Sequence, residues 1–273
     1  GALENAVKND RFDELPESIT SKAERFVPSH QKWMPVTTRF RVLAYNSERV
    51  NSENLPDSVL DLPDQSRLEG RIGWTPTYSS FQDFVTMLRL REGEDETARW
   101  LNGISELNPK SYTSNTPMIR ALAAGEIDVA LTNHYYVHRL KHGGAEGEYE
   151  GHEEEEEEHG EEEEESVRPS APVETYHFAD GDPGNLALVT GAGILSTSNQ
   201  SEEARQFLEF LVSEQSQSYA ADQVHEYPVI PGTDVPDYML PVDEALSLSP
   251  EFEPGRLSEL EPTLKLLRDQ GII

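Results

Sequence analysis

Cysteine is absent from all 273 residues. That excludes disulfides and thiolate metal centres and leaves oxygen and imidazole as metal ligands. Positive charge is scarce, and lysine more so than arginine, six against sixteen, within a formal net charge of −30. Nucleic acid and anionic membrane surfaces are poor partners for such a chain. Acid-rich, lysine-poor surfaces suit concentrated salt, where screening removes most self-repulsion, so the composition points to a halophile's protein, the alternative being an ordinary acidic secreted protein with one odd loop. No stretch is long and apolar enough to span a membrane, and no signal-peptide pattern is visible. The chain starts at Gly1-Ala2-Leu3 without a methionine, so targeting information is expected to have been removed. There is no nucleophile elbow, P-loop or zinc-protease motif, and an enzyme is not expected.

Acid is abundant and unevenly placed. Residues 146–165 hold fourteen glutamates and no cation, leaving −16 for the rest. Like charges at that density cannot pack, so 143–172 is expected to be a disordered surface insertion dispensable for binding. His152 and His159 lie inside it without a metal-ligand spacing. Outside it, helix and strand signals alternate, which predicts an α/β fold. Strands are expected at 41–45, 71–74, 127–131 and 186–189. One helix follows a Ser79 or Ser80 cap, with Gln82 completing a capping box. Another opens near Asp95, and a third follows an Asn115 or Thr116 cap and stops at Gly125. Further helices are expected at 201–213 and 257–269.

Two adjacent tyrosines, Tyr135 and Tyr136, come just past the apolar run 127–131. A phenol there must find a hydrogen-bond partner, reach solvent or bind something. The surrounding segments resemble one family. They are Gly70-Arg71-Ile72-Gly73-Trp74-Thr75-Pro76-Thr77, Ser80-Phe81-Gln82-Asp83-Phe84-Val85, Asn108-Pro109-Lys110, Ala124-Gly125-Glu126-Ile127-Asp128-Val129 and Asn133-His134-Tyr135-Tyr136. Gly181-Asp182-Pro183-Gly184-Asn185-Leu186, Gly191-Ala192-Gly193-Ile194-Leu195 and Glu226-Tyr227-Pro228-Val229 continue it. In this order and spacing the chain resembles the ferric-iron solute-binding proteins of ABC transporters.

The resemblance implies a two-lobed periplasmic-binding-protein-like fold of type 2 with crossover hinge strands near 40–45 and 188–193. Lobe one would comprise 1–45 and 190–273, and lobe two 46–189. It implies that Gly1 matches the middle of the family pattern, so the N-terminal lobe is expected to be incomplete. Fe(III) would be held in the cleft by Tyr135, Tyr136 and Tyr78 as phenolates, since anionic oxygen suits a hard cation. Carbonate or phosphate would sit on the backbone opening the helix at Ser79 and Ser80, with Asn115 and Asn133 beside it. Arg39 and Arg41 lie near the crossover, where one could face the anion, although exposure is the stronger expectation for both. His134 and His138 are expected to face solvent. The implied protein is an extracytoplasmic monomer, secreted or membrane-tethered by a signal absent from this sequence, that hands iron to an ABC permease by hinge closure. Another solute on the same fold, such as an organic anion, thiamine or a polyamine, is the alternative, though none of these needs paired phenolates.

Overall fold

The apolar run at 41–45 lies inside a thirteen-residue strand, β1 (Met34–Asn46), in a computed structural model that describes residues 2–23, 25–144 and 167–273. Alternation places Thr37, Arg39 and Arg41 on one face of β1 and Thr38, Phe40 and Val42 on the other. β1 changes partners between Phe40 and Arg41. Its first part pairs antiparallel with β6 (Ala187–Ala192), from Met34↔Ala192 to Phe40↔Ala187, and meets β7 (Tyr227–Pro228) at Thr37 and Thr38. Its second part pairs antiparallel with β4 (Val129–Asn133) and with β5 (Val173–Tyr176). β2 (Ile72–Trp74) lies parallel to β4 and to the short β3 (Lys110–Ser111), giving the order β3-β2-β4-β1-β5. The mixed sheet with flanking helices has the α/β character expected from the sequence.

α1 (Ala2–Lys8) and α2 (Glu17–Thr20) precede β1. α3 (Ser79–Glu92) and α4 (Glu94–Glu106) follow β2, α5 (Asn115–Ala123) lies between β3 and β4, and α6 (His134–His142) starts directly after β4. α7 (Ser201–Leu211) and α8 (Glu214–Tyr219) come after β6, and α9 (Val242–Leu248) and α10 (Leu260–Asp269) come after β7. The largest core lies between α3, α4 and the β2–β4 side, where Trp74, Phe81, Phe84 and Trp100 meet mostly edge to face. On the other face of β2, Gly73 lets the cluster of Met118 and Ile127 close, because a Cβ there would stand 2.5 Å from Ile127 Cδ1. α10 returns from the far end of the chain onto α3, with Thr86 and Thr263 hydroxyls 2.8 Å apart and Arg89 reaching Glu259 O.

Several local expectations are corrected. The residue before α3 is Tyr78, not a serine, because Ser80 turns inward to a buried arginine while Ser79 lies in the first turn. Gln82 reaches back to the carbonyls of Pro76 and Thr77 instead of closing a capping box. α4 opens one residue before Asp95, after Gly93 at φ 91. Ser114 precedes α5, and Asn115 is fully buried, accepting from Thr132 at 3.0 Å. The acidic tract of 143–172 falls mainly on 145–166, outside the described residues. Its described flanks are tied turns: Arg168 N–H donates to Leu140 O at 2.7 Å and Ala171 N–H to Arg168 O.

The Gly181-Asp182-Pro183-Gly184-Asn185-Leu186 motif is structural. Asp182 Oδ1 accepts from Gly184 and Val59 N–H. Asn185 is 1% exposed; its Oδ1 accepts from Phe178 N–H, and its amide donates to the carbonyls of Phe178, Ala179 and Leu248. Asn185→Ala leaves these buried backbone groups without partners and should lower unfolding free energy by about 3 kcal/mol. Urea unfolding checks this. A loss under about 1 kcal/mol would mean that the motif is not the anchor described.

Candidate functional site

β4 is buried along its whole length and ends at Asn133, and α6 begins with the next residue. Tyr135 and Tyr136 therefore occupy the first turn of a helix. Both are buried, at 7% and 8% exposure, with ring centroids 4.3 Å apart. Tyr78 comes from the loop between β2 and α3, and its hydroxyl lies 3.0 Å from that of Tyr136. The structure thus brings together three phenols that are up to 58 residues apart in sequence. Arg139, one turn along α6, holds its guanidinium 4.7 Å above the Tyr135 ring and 5.9 Å from the Tyr136 ring.

Burial raises the Tyr136 phenol far above its usual range, with the neighbouring Tyr135 and Tyr78 adding to the shift. Burial also raises Tyr135, opposed by Arg39 and reinforced by Glu226. With no ligand bound, these phenols are neutral. A multivalent cation reverses that preference, because its charge favours phenolate.

Beside the phenols is a corner rich in unused hydrogen-bond donors. Arg41 is 2% exposed and donates through Nη1 to Ser80 Oγ and Asn133 Oδ1, both at 3.2 Å. Its Nη2 has no partner among the described residues, and neither do Asn115 Nδ2 and Asn133 Nδ2. No carboxylate among the described residues bonds this buried guanidinium, and burial lowers it to about 10. The exposure expected for Arg41 is corrected: β1 aims it at α3 instead of solvent. The N–H groups opening α3 at Ser79 and Ser80 lack intrahelical partners, as at any helix start. Buried donors without acceptors favour an anion that supplies them.

Across from the phenols stands a polar set on β1, β6 and the residue before β7. Arg39 donates to Thr190 Oγ1 at 2.6 Å, and Thr37 and Thr190 hydroxyls donate to Glu226. A π-helical turn at Ala220–Val224 and left-handed His225, φ 60, set the direction of Glu226. The sequence signal for Glu226 was only its place in Glu226-Tyr227-Pro228-Val229. Arg139 gave none beyond its spacing from Tyr135.

His134 and His138 are buried, at 2% and 8% exposure, which corrects the expectation that they face solvent. α6 packs this face against the segment around β7. Phe40 N–H donates to His134 Nδ1 at 3.2 Å, and His134 Nε2–H donates to His225 O at 2.8 Å. Burial lowers His134 to about 3 and His138 to about 2. Neither ring joins the phenol cluster by hydrogen bonding.

The sequence profile of the bacterial extracellular solute-binding proteins matches residues 1–247. The major ferric iron-binding protein of Neisseria meningitidis is 28% identical over 246 residues, which is 90% of this chain and 66% of that protein. Iron uptake protein A2 of Synechocystis is 32% identical over 217 residues, 79% of this chain and 56% of that protein. The chain thus spans just under two thirds of the Neisseria relative's length. Iron-bound HitA from Pseudomonas aeruginosa superposes with a TM-score of 0.82 at 29% identity, covering 98% of this chain and 79% of that one. Apo FutA2 from Synechocystis superposes with a TM-score of 0.78 at 25% identity, covering 100% and 82%. The architecture is therefore that of the type 2 periplasmic binding proteins.

Proposed function

This chain belongs to the bacterial extracellular solute-binding protein family, a family of binding proteins and not of enzymes, and from that premise we propose that it captures ferric iron. Tyr135, Tyr136 and Tyr78 bind the ion as phenolates, and the donor corner takes a carbonate or phosphate. The single observation that carries this reading is the convergence of the three phenols, with Tyr78 and Tyr136 hydroxyls 3.0 Å apart and the Tyr135 ring 4.3 Å from that of Tyr136. Phenolate oxygen suits a hard, highly charged cation. The ferric relatives support the same choice of solute.

The anion is held by Arg41 Nη2, the amides of Asn115 and Asn133, and the N–H groups of Ser79 and Ser80. That placement gives the three unpartnered side-chain donors a function. Two lobes meet along β1, one built on β6 and β7 with residues 1–45, the other on β2 to β5 within 46–189. Hinge closure about β1 would bring Arg39 and Glu226 towards the phenols. The protein acts outside the cytoplasm as a monomer and delivers the ion to an ABC permease. No helix among the described residues is long and apolar enough to cross a membrane.

Titration with ferric nitrilotriacetate tests the reading. A visible charge-transfer band should grow and saturate at one ion per chain, because iron–phenolate complexes are coloured. It should grow more strongly with bicarbonate or phosphate present. A chain that stays colourless through a tenfold excess of iron would rule out phenolate binding.

A further inference from the structure

A cavity of about 250 Å³ lies behind α6, on the face away from the phenols. α6 separates the two places, because Tyr135, Tyr136 and Arg139 point one way and His134 and His138 the other. Phe40, Tyr227 and Tyr238 supply aromatic wall, and His138, His177 and Asp237 supply polar atoms. Phe40 and Tyr227 are packed edge to face at 5.0 Å, so this wall is preassembled.

Two observations mark a site and not only a packing gap. His138 is 8% exposed and His177 half-buried, and no hydrogen bond to a described residue holds either ring. Neither ring is among the buried polar groups left without a partner, so their nitrogens open onto the cavity, where a ligand can reach them. Burial lowers His177 to about 4, so at neutral pH it offers one acceptor nitrogen and one N–H.

The wall also limits the chemistry. Asp237 is its single formally charged side chain. An anion would meet that carboxylate with no cation to offset it. A bare metal ion is poorly served, since no three metal-ligating side chains converge anywhere among the described residues. A cation carrying N–H donors and an apolar body satisfies every wall at once. Asp237 pairs with its charge, the imidazole nitrogens accept its N–H groups, and the aromatic rings receive the rest. The volume is below that of pockets for drug-sized ligands, so the occupant has about ten non-hydrogen atoms or fewer.

We propose that this cavity is a second binding site that takes a small organic ammonium ion. It is independent of the iron reading, because it shares none of the phenol or anion residues.

Benzylammonium, benzyl alcohol and benzoate are matched probes of similar shape and different charge. Met239 lines the cavity, so its ¹³C-methyl resonance reports entry, while the methyls of Met34, Met87 and Met118 serve as internal controls. Benzylammonium should shift Met239 alone, saturably, and bind at least tenfold more tightly than benzyl alcohol, with benzoate weakest. Asp237→Asn should remove the preference for the cation, and His177→Phe should block entry by filling the cavity. Circular dichroism establishes that both variants fold, and the ferric titration of Asp237→Asn should match that of the parent. Equal binding of the alcohol and the ammonium ion, or an Asp237→Asn variant that keeps the preference, would overturn the proposal. So would a Met239 resonance that never saturates, or one that answers zinc chloride in place of benzylammonium.

Discussion

Tyr135→Phe combined with Tyr136→Phe should leave the chain colourless on ferric titration, with affinity reduced beyond measurement. Each single change should cost more than about 100-fold, which exceeds the 10- to 100-fold loss typical of residues that only orient a ligand. The rings themselves are part of a buried cluster with Met118, Ile119 and Leu122. Phenylalanine keeps that packing and removes only the oxygen, so folding should survive and the measurement reports the metal. Tyr136 should be the more damaging single change. Its hydroxyl meets Tyr78 at 3.0 Å and also hydrogen-bonds Tyr135, so its oxygen sits between the other two. Retained colour in the double variant would reject these ligands. Wild-type affinity in either single variant would reduce that tyrosine to a wall of the cleft.

The parts of this molecule that were legible in the sequence are those set by local pattern. The apolar run before Tyr135 had to be buried, and the strand-to-helix junction at Asn133–His134 follows from it, although the strand sits two residues later than expected. The pairing of Tyr78 with Tyr136 was accessible only through the resemblance. Nothing local joins residues 58 positions apart; the parallel pairing of β2 with β4 does so by bringing their C-terminal ends to one edge.

What escaped the sequence was decided by tertiary packing. Arg41 alternates correctly for a polar face, and polarity on a strand ordinarily means solvent. Here α3 covers that face, and Ser80 and Asn133 replace water as acceptors. His134 and His138 sit at helical spacing, which reads equally as an exposed or a buried stripe. Only the arrival of β7 and His225 O from some ninety residues away settles it. α10 has an amphipathic pattern visible in sequence, but its partner, α3, is specified by a hydroxyl contact between Thr86 and Thr263 that no periodicity contains.

The count of protons released on iron binding should separate a ligand from a neighbour at Tyr78. Burial raises Tyr135 and Tyr136, so both are protonated at neutral pH and each must lose its proton to bind as phenolate. The sign follows: affinity is weakest in acid and climbs as pH rises. Two ligand phenols give about a hundredfold gain per pH unit, and three give about a thousandfold. The alternative role for Tyr78 is to donate its hydroxyl proton to the Tyr136 phenolate across 3.0 Å. It would then keep that proton, and Tyr78→Phe would weaken binding without altering the pH slope. As a ligand it loses the proton, and the same variant lowers the slope by one. Comparing parent and variant cancels the protons exchanged by nitrilotriacetate and by the anion, because both terms are common. We expect the slope to fall by one, with base uptake in a pH-stat falling by one proton per iron. An unchanged slope with weakened binding would leave Tyr135 and Tyr136 as the phenolates and make Tyr78 the residue that positions them.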